Sequence, residues 1–123
     1  MQVKALDHVN IRSRDVPASA RFYAETLGLE PRNGPGAYAP EQVQWLCDSS
    51  GHAIIHLYGF DCAPGPTGPI HHVALSCSGK AQMLDRLKQR DIRFDLHEAS
   101  PTLTQIFLRD PHGVLLELNF AGD

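Results

Sequence analysis

The sequence contains no apolar run approaching the roughly 20 residues that a helical bilayer span requires. It also lacks a basic patch: 11 Lys and Arg stand against 14 Asp and Glu, for a net charge of −3. Nucleic acid and anionic membrane are therefore poor partners for it. Cysteine is scarce, and Cys47, Cys62 and Cys77 are odd in number with no CxxC spacing. That argues against a disulfide framework or a zinc finger and fits reduced thiols in a cytoplasmic protein. The first residues, Met-Gln-Val-Lys-Ala-Leu-Asp-His, run straight into a strand pattern without the apolar core of a signal peptide. At 123 residues the length suits one domain, or two small modules sharing a core.

What the chain does have is short strand patterns and seven histidines. Residues 3–12 alternate as a strand. Asp15 is a helix N-cap, Pro17 lies in the first turn, and Val16, Ala20, Phe22, Tyr23 and Leu27 recur at helical spacing up to Gly28, a C-cap. Strands are expected at 29–32, 42–48 and 52–58, with a loop at 33–40. Pro and Gly crowd residues 59–69, which excludes regular structure there. Beyond it, Ile70-His-His-Val-Ala-Leu-Ser76 echoes Leu6-Asp-His-Val-Asn-Ile-Arg12. A second amphipathic helix follows at 80–90, with Met83, Leu84 and Leu87 inward. Strands are expected at 92–96, 102–109 and 114–120, the last opened by the turn Asp110-Pro-His-Gly113.

The order strand, helix, strand, strand, strand thus occurs twice. His8 and His72 are 64 positions apart (72 − 8), and His56 and Glu117 are 61 apart (117 − 56). One repeat is too small to bury a sheet face alone. The reading is a single domain, 1–123, with module one at about 1–60, a linker at 61–69 and module two at about 70–123. Two such modules can enclose a cupped, mostly antiparallel sheet.

Alternation sorts the side chains. Val9 and Ile11, Ile55 and Leu57, Val73 and Leu75, and Leu116 and Leu118 suit packing against helices. The opposite face carries His8, Asn10, Arg12, His56, Tyr58, His72, Ser76, Glu117 and Asn119. That face is too polar for a dry core, and mid-strand carboxylates are rarely buried without a partner. Three imidazoles and one carboxylate at equivalent points of two repeats suit one divalent ion: zinc, nickel, iron, manganese or cobalt. His8, His56, His72 and Glu117 are therefore the candidate metal ligands. His71 should face away from its neighbour. His52, His97 and His112 lie near turns or strand ends and are expected to be solvated.

At these residues the chain resembles the vicinal oxygen chelate superfamily. That group includes glyoxalase I, fosfomycin-resistance transferases, bleomycin-resistance proteins, methylmalonyl-CoA epimerase and extradiol dioxygenases. The matching pieces are Leu6-Asp7-His8-Val9, Phe22-Tyr23 with Leu27-Gly28-Leu29, His72-Val73-Ala74-Leu75, and Asp110-Pro111-x-Gly113 with Glu117-Leu118. The resemblance implies an α+β fold of two βαβββ modules, usually in a homodimer. It carries metal binding onto His8, His72 and Glu117, with His56 at the fourth position. Glyoxalase I usually has Glu at that position and the epimerase Gln, so His56 departs from both. Arg12 stands where glyoxalase I has an arginine that contacts glutathione. Tyr58-Gly59-Phe60 lacks the Asn expected nearby, which argues against glutathione as substrate.

Ligand count separates the possible chemistries. With His56 bound, a six-coordinate ion keeps two positions, enough to chelate an enediolate as a Lewis acid. Three ligands leave three positions, as ring cleavage by dioxygen needs. The leading expectation is a glyoxalase-type isomerase or lyase acting on a small oxygenated substrate through a metal-chelated enediolate. Glu117 and Tyr58 are its catalytic candidates; Arg12, Asn10 and Gln105 are its substrate-binding candidates. The alternatives are an extradiol-type dioxygenase and a non-catalytic binding protein of the bleomycin-resistance type.

Overall fold

A computed structural model describes residues 1–62 and 65–122. Ala63 and Pro64, within the expected linker, lie outside the described residues. The chain falls into two compact units, Met1–Ala63 and Pro64–Asp123. In the first, β1 (Val9–Arg12), α1 (Val16–Leu27), β2 (Glu30–Asn33), β3 (Val43–Cys47) and β4 (Ala53–Tyr58) follow in order. In the second come β5 (Val73–Cys77), α2 (Lys80–Gln89), β6 (Asp95–Ser100), β7 (Leu103–Arg109) and β8 (Leu115–Ala121). The sheets run β1-β4-β3-β2 and β5-β8-β7-β6. In each, the first strand pairs parallel to the fourth and the remaining pairs are antiparallel. The architecture is therefore α+β, with two βαβββ modules.

The start of α1 follows from its residues. Asp15 Oδ1 accepts from Ala18 N at 3.0 Å, and Pro17 occupies the first turn, where its missing N–H costs nothing. Gly28 closes the helix at φ 74°, a conformation that costs any side chain with a Cβ. One face buries Val16, Ser19, Ala20, Tyr23 and Thr26. Phe22 and Leu27, expected inward, are only half-buried. Opposite this helix, Leu46, Ile55 and Leu57 are fully buried. Removing such aliphatic side chains from water is worth about 1.5–3 kcal/mol each, which is what makes the unit cohere.

In the second unit, Leu87, Ile106, Leu116 and Leu118 are fully buried. Lys80 Nζ donates to Thr104 Oγ1 at 3.2 Å and ties α2 to β7. Met83 and Leu87 face inward as expected, whereas Leu84 is half-buried.

Two expected strands are corrected. The first does not span 3–12 but begins at Val9. Its partner β4 starts only at Ala53, and Val9 pairs with Ile55, so residues 3–6 have no strand to bond. The strand expected at 92–96 starts instead at Asp95. Ile92 N donates back to Leu87 O at 2.9 Å, which prolongs the helix end, and Asp91 takes φ 53°.

The same turn precedes the last strand of each unit. Asp48 Oδ1 accepts from the backbone N–H groups of Ser50 (2.9 Å) and His52 (3.1 Å). Asp110 Oδ1 accepts from those of His112 and Val114, both at 2.9 Å. Gly51 and Gly113 take φ 85° and 86° in the two turns. From these turns the marks diverge by one residue, because Leu46 pairs with Ile55 but Cys47 with Ala53. Ile54 is the extra residue of a β-bulge. It accounts for His56 standing eight positions after Asp48 while Glu117 stands seven after Asp110.

Candidate functional site

Strand register fixes which candidates share a face. Asn10 pairs with His56 and Arg12 with Tyr58; Trp45 also pairs with His56. These five side chains stand on the face of the first sheet opposite its buried Ile55 and Leu57. In the second unit Ala74 pairs with Glu117, and Gln105 pairs with Asn119. His56 and Glu117 thus occupy equivalent places in the two repeats.

His8 lies one residue before β1 and His72 one before β5. His8 is held from two sides. Its Nδ1 is 2.7 Å from Asp7 Oδ2. The segment is anchored through His52, whose Nε2 lies 2.7 Å from Asp7 O. His52 was expected to be solvated and is exposed, but it also has a partner, because the turn after Asp48 folds the ring back onto residue 7. His8 donates Nδ1–H to the Asp7 carboxylate, which leaves its Nε2 as the nitrogen for a ligand. The His8 bond is also the main reason Asp7 titrates below the ordinary carboxylate range, although burial opposes it.

His56 is sandwiched. Its ring centroid is 3.7 Å from that of His8, with planes 13° apart, and 4.3 Å from that of Trp45, with planes 12° apart. Burial, then the neighbouring His8, pushes its pKa below the usual imidazole value. The stack constrains coordination. An imidazole ligates through a lone pair in its own ring plane, about 2.0–2.1 Å from the ion. Two nearly parallel rings aim their lone pairs side by side rather than at one centre. In these rotamers His8 and His56 do not share an ion.

The second unit presents a different pair. His72 Nε2 lies 3.6 Å from Glu117 Oε1, and the Glu117 side chain is only 13% exposed. Two donors each about 2.1 Å from one ion stand about 3.4 Å apart at the tetrahedral angle, so this pair fits a cation between them. Glu117 Oε2 is already taken by Asn119 Nδ2 at 2.8 Å. Asn119 Oδ1 in turn accepts from Gln105 Nε2 at 3.2 Å. The carboxylate is therefore fixed with Oε1 toward His72. His71, expected to face away, instead places Nδ1 2.9 Å from His72 Nδ1. Residue 71 lies outside β5, which begins at Val73, so strand alternation does not govern it. If His72 donates through Nδ1, its Nε2 stays free for a ligand.

The structure thus brings the metal candidates together in pairs, His8 with His56 and His72 with Glu117. Among the described residues no three His, Cys, Asp or Glu side chains form a group able to hold an ion. Of the substrate-binding candidates, Gln105 supports Asn119, while Arg12 Nη1 donates to Asp61 O at 3.2 Å. Asn10 is exposed beside His56. Sequence reading missed Asp7, His71, Asn119 as the partner of Glu117, and Trp45. Asn119 left only its place on the polar face as a signal, and Trp45 its being a lone tryptophan in an expected strand.

No helix among the described residues is long and apolar enough to cross a membrane. Comparison with curated proteins gives no match. Solved structures do match. A glyoxalase/dioxygenase from Nostoc punctiforme superposes with a TM-score of 0.79 at 18% identity, over 98% of this chain and 92% of that one. A lactoylglutathione lyase from Agrobacterium tumefaciens gives 0.69 at 19% identity, over 97% and 95%. A glyoxalase/bleomycin resistance protein/dioxygenase from Alicyclobacillus acidocaldarius gives 0.66 at 25% identity, over 94% and 90%. At these identities the likeness speaks for the fold alone. The superfamily that this sequence resembles often binds metal. The family model described as Glyoxalase/Bleomycin resistance protein/Dioxygenase superfamily matches residues 5–118, and the chain belongs to that superfamily.

Proposed function

We propose that this protein is a metal-dependent enzyme in which His72 and Glu117 of the second unit hold a divalent ion, and that it acts as a glyoxalase-type isomerase or lyase. The observation that supports this most directly is the 3.6 Å approach of His72 Nε2 to a Glu117 carboxylate whose other oxygen is already bonded. Zinc, nickel, iron, manganese and cobalt all suit such a nitrogen and oxygen set. When bound, the ion supplies Lewis acidity to vicinal oxygens of a small substrate. His56, stacked beside His8 rather than aimed with it, is assigned to proton transfer with Tyr58 instead of to ligation; an enediolate needs only two open positions on the ion, and fewer protein ligands still leave them. Glu117 is the further candidate base, and Asn10 and Arg12 are the candidate substrate-binding residues.

A second reading has its own support. A stack that withholds His56 lowers the ligand count, and ring cleavage by dioxygen at Fe(II) or Mn(II) needs the open position this leaves. Protein purified without added ions and analysed for metal tests the shared claim. His72→Ala should lose the ion and His56→Ala should keep it. Equal loss in both variants would restore the four-ligand site, and no metal in the wild type would sink both readings. Anaerobic iron loading followed by catechol and oxygen separates them, since the isomerase takes up no oxygen.

A further inference from the structure

The face of the first sheet that carries His56 also carries most of the unit's aromatic surface. Trp45 stacks on His56. Tyr58, two residues further along β4, packs on Phe60 with centroids 4.7 Å apart. Tyr38 meets the same Phe60 at 5.9 Å and stays 51% exposed. The loop bearing Tyr38 leaves β2 through Gly34. A Cβ there would come within 2.7 Å of Val43 Cγ1 and 3.5 Å of Trp45 Nε1. The absent side chain at residue 34 is what lets this loop lie close over the sheet. Trp45, Tyr58 and Phe60 are each only half-buried. Together with Tyr38 they form a shelf of rings that the unit's core does not use.

Beside the shelf stands one cation. Arg12 is in register with Tyr58 and exposed. Among the described residues its guanidinium has no carboxylate partner; one N–H goes to Asp61 O, and the others remain for a ligand. Arg32, by contrast, is engaged by Glu30 at 3.4 Å. A guanidinium presents paired donors that match a carboxylate, and aromatic faces match a planar ring. Aliphatic acids would leave the shelf wet, and neutral aromatic ligands would leave Arg12 without its match.

We propose that this face binds an aromatic carboxylic acid, with the ring on the Tyr38, Tyr58 and Phe60 shelf and the carboxylate on Arg12. The inference deepens the enzymatic reading above by naming its substrate class: an aryl-bearing 2-hydroxy or 2-oxo acid, whose vicinal oxygens also suit an ion. Trp45, the chain's single tryptophan, reports on the face. The test is titration of chelator-stripped protein with mandelate, lactate and benzyl alcohol, followed by calorimetry and Trp45 fluorescence. Mandelate should bind at least about tenfold more tightly than either comparator, as a charge-assisted contact and a ring contact together predict. Arg12→Gln should weaken mandelate about tenfold or more and leave benzyl alcohol unchanged. Tyr38→Ala, at an exposed position, should weaken mandelate and leave lactate unchanged. Equal binding of mandelate and lactate, or indifference to Arg12→Gln in a variant with wild-type circular dichroism, would overturn the proposal. Because the protein is stripped, these results do not depend on the ion. Metal bound without aryl-acid preference sinks only the substrate class, and aryl-acid binding to a protein that never holds metal sinks only the enzymatic reading.

Discussion

The carboxamide of Asn119 gives an N–H to Glu117 Oε2 and accepts one from Gln105. Both orientations in this chain are thereby set, and Glu117 is left with a single outward oxygen. Such supporting bonds typically govern metal affinity by about 10–100-fold. Asn119→Leu keeps the bulk and removes the donor. It should weaken the proposed ion by about that factor in competition with a chromophoric chelator, while thermal unfolding of the stripped protein changes little. An unchanged affinity would mean that Glu117 is not a ligand. Glu117 was legible in the sequence because alternation leaves a carboxylate between apolar neighbours. Its partner was legible only as a residue on the same face, since a side-chain bond two residues along a strand has no spacing signal of its own. His71 was misread and the partner of His52 was missed because both residues precede strands. There the backbone direction comes from turns, and alternation predicts nothing.

At the scale of the element, caps carry information that periodicity lacks. Asp15→Ala removes the acceptor for Ala18 N and should cost about 1 kcal/mol of stability, measured by urea unfolding. The turn at Asp48 makes a sharper test. The Ser50 side chain is the main reason the Asp48 carboxyl titrates below its ordinary value of 3.8, with the backbone N–H groups of His52 and Ser50 adding to it. A carboxylate with a depressed folded pKa contributes stability above its unfolded pKa, and that contribution is lost as pH falls through the folded value. Asp48→Asn should therefore be less stable than wild type at pH 7, and the difference should close as pH falls below about 3.8. A pH-independent difference would point to shape rather than charge. Both helices and most strands were legible within a residue or two, because capping residues and alternation agree there. The bulge at Ile54 was not, since one extra residue changes register without changing composition.

For the whole molecule, the duplication fixes what has to be explained. Both units end their approach to the first strand on an apolar residue two positions before the histidine, Leu6 before His8 and Ile70 before His72. These residues are 82% and 60% exposed, and Val3 is 93% exposed. Apolar side chains that recur at equivalent points and remain in water are candidates for burial by a second chain, and burying each would yield about 1.5–3 kcal/mol. We propose that the protein is a homodimer in solution and that these positions stabilise it. Light scattering after size exclusion should give twice the chain mass for the wild type. In sedimentation equilibrium, the triple variant Val3→Ser, Leu6→Ser and Ile70→Ser should shift toward monomer as it is diluted, with circular dichroism unchanged. A wild-type monomer would remove the dimer. A triple variant that stays dimeric on dilution would place the interface on other residues, leaving the edge strands β2 and β6, whose residues are exposed throughout, as the next surfaces to test.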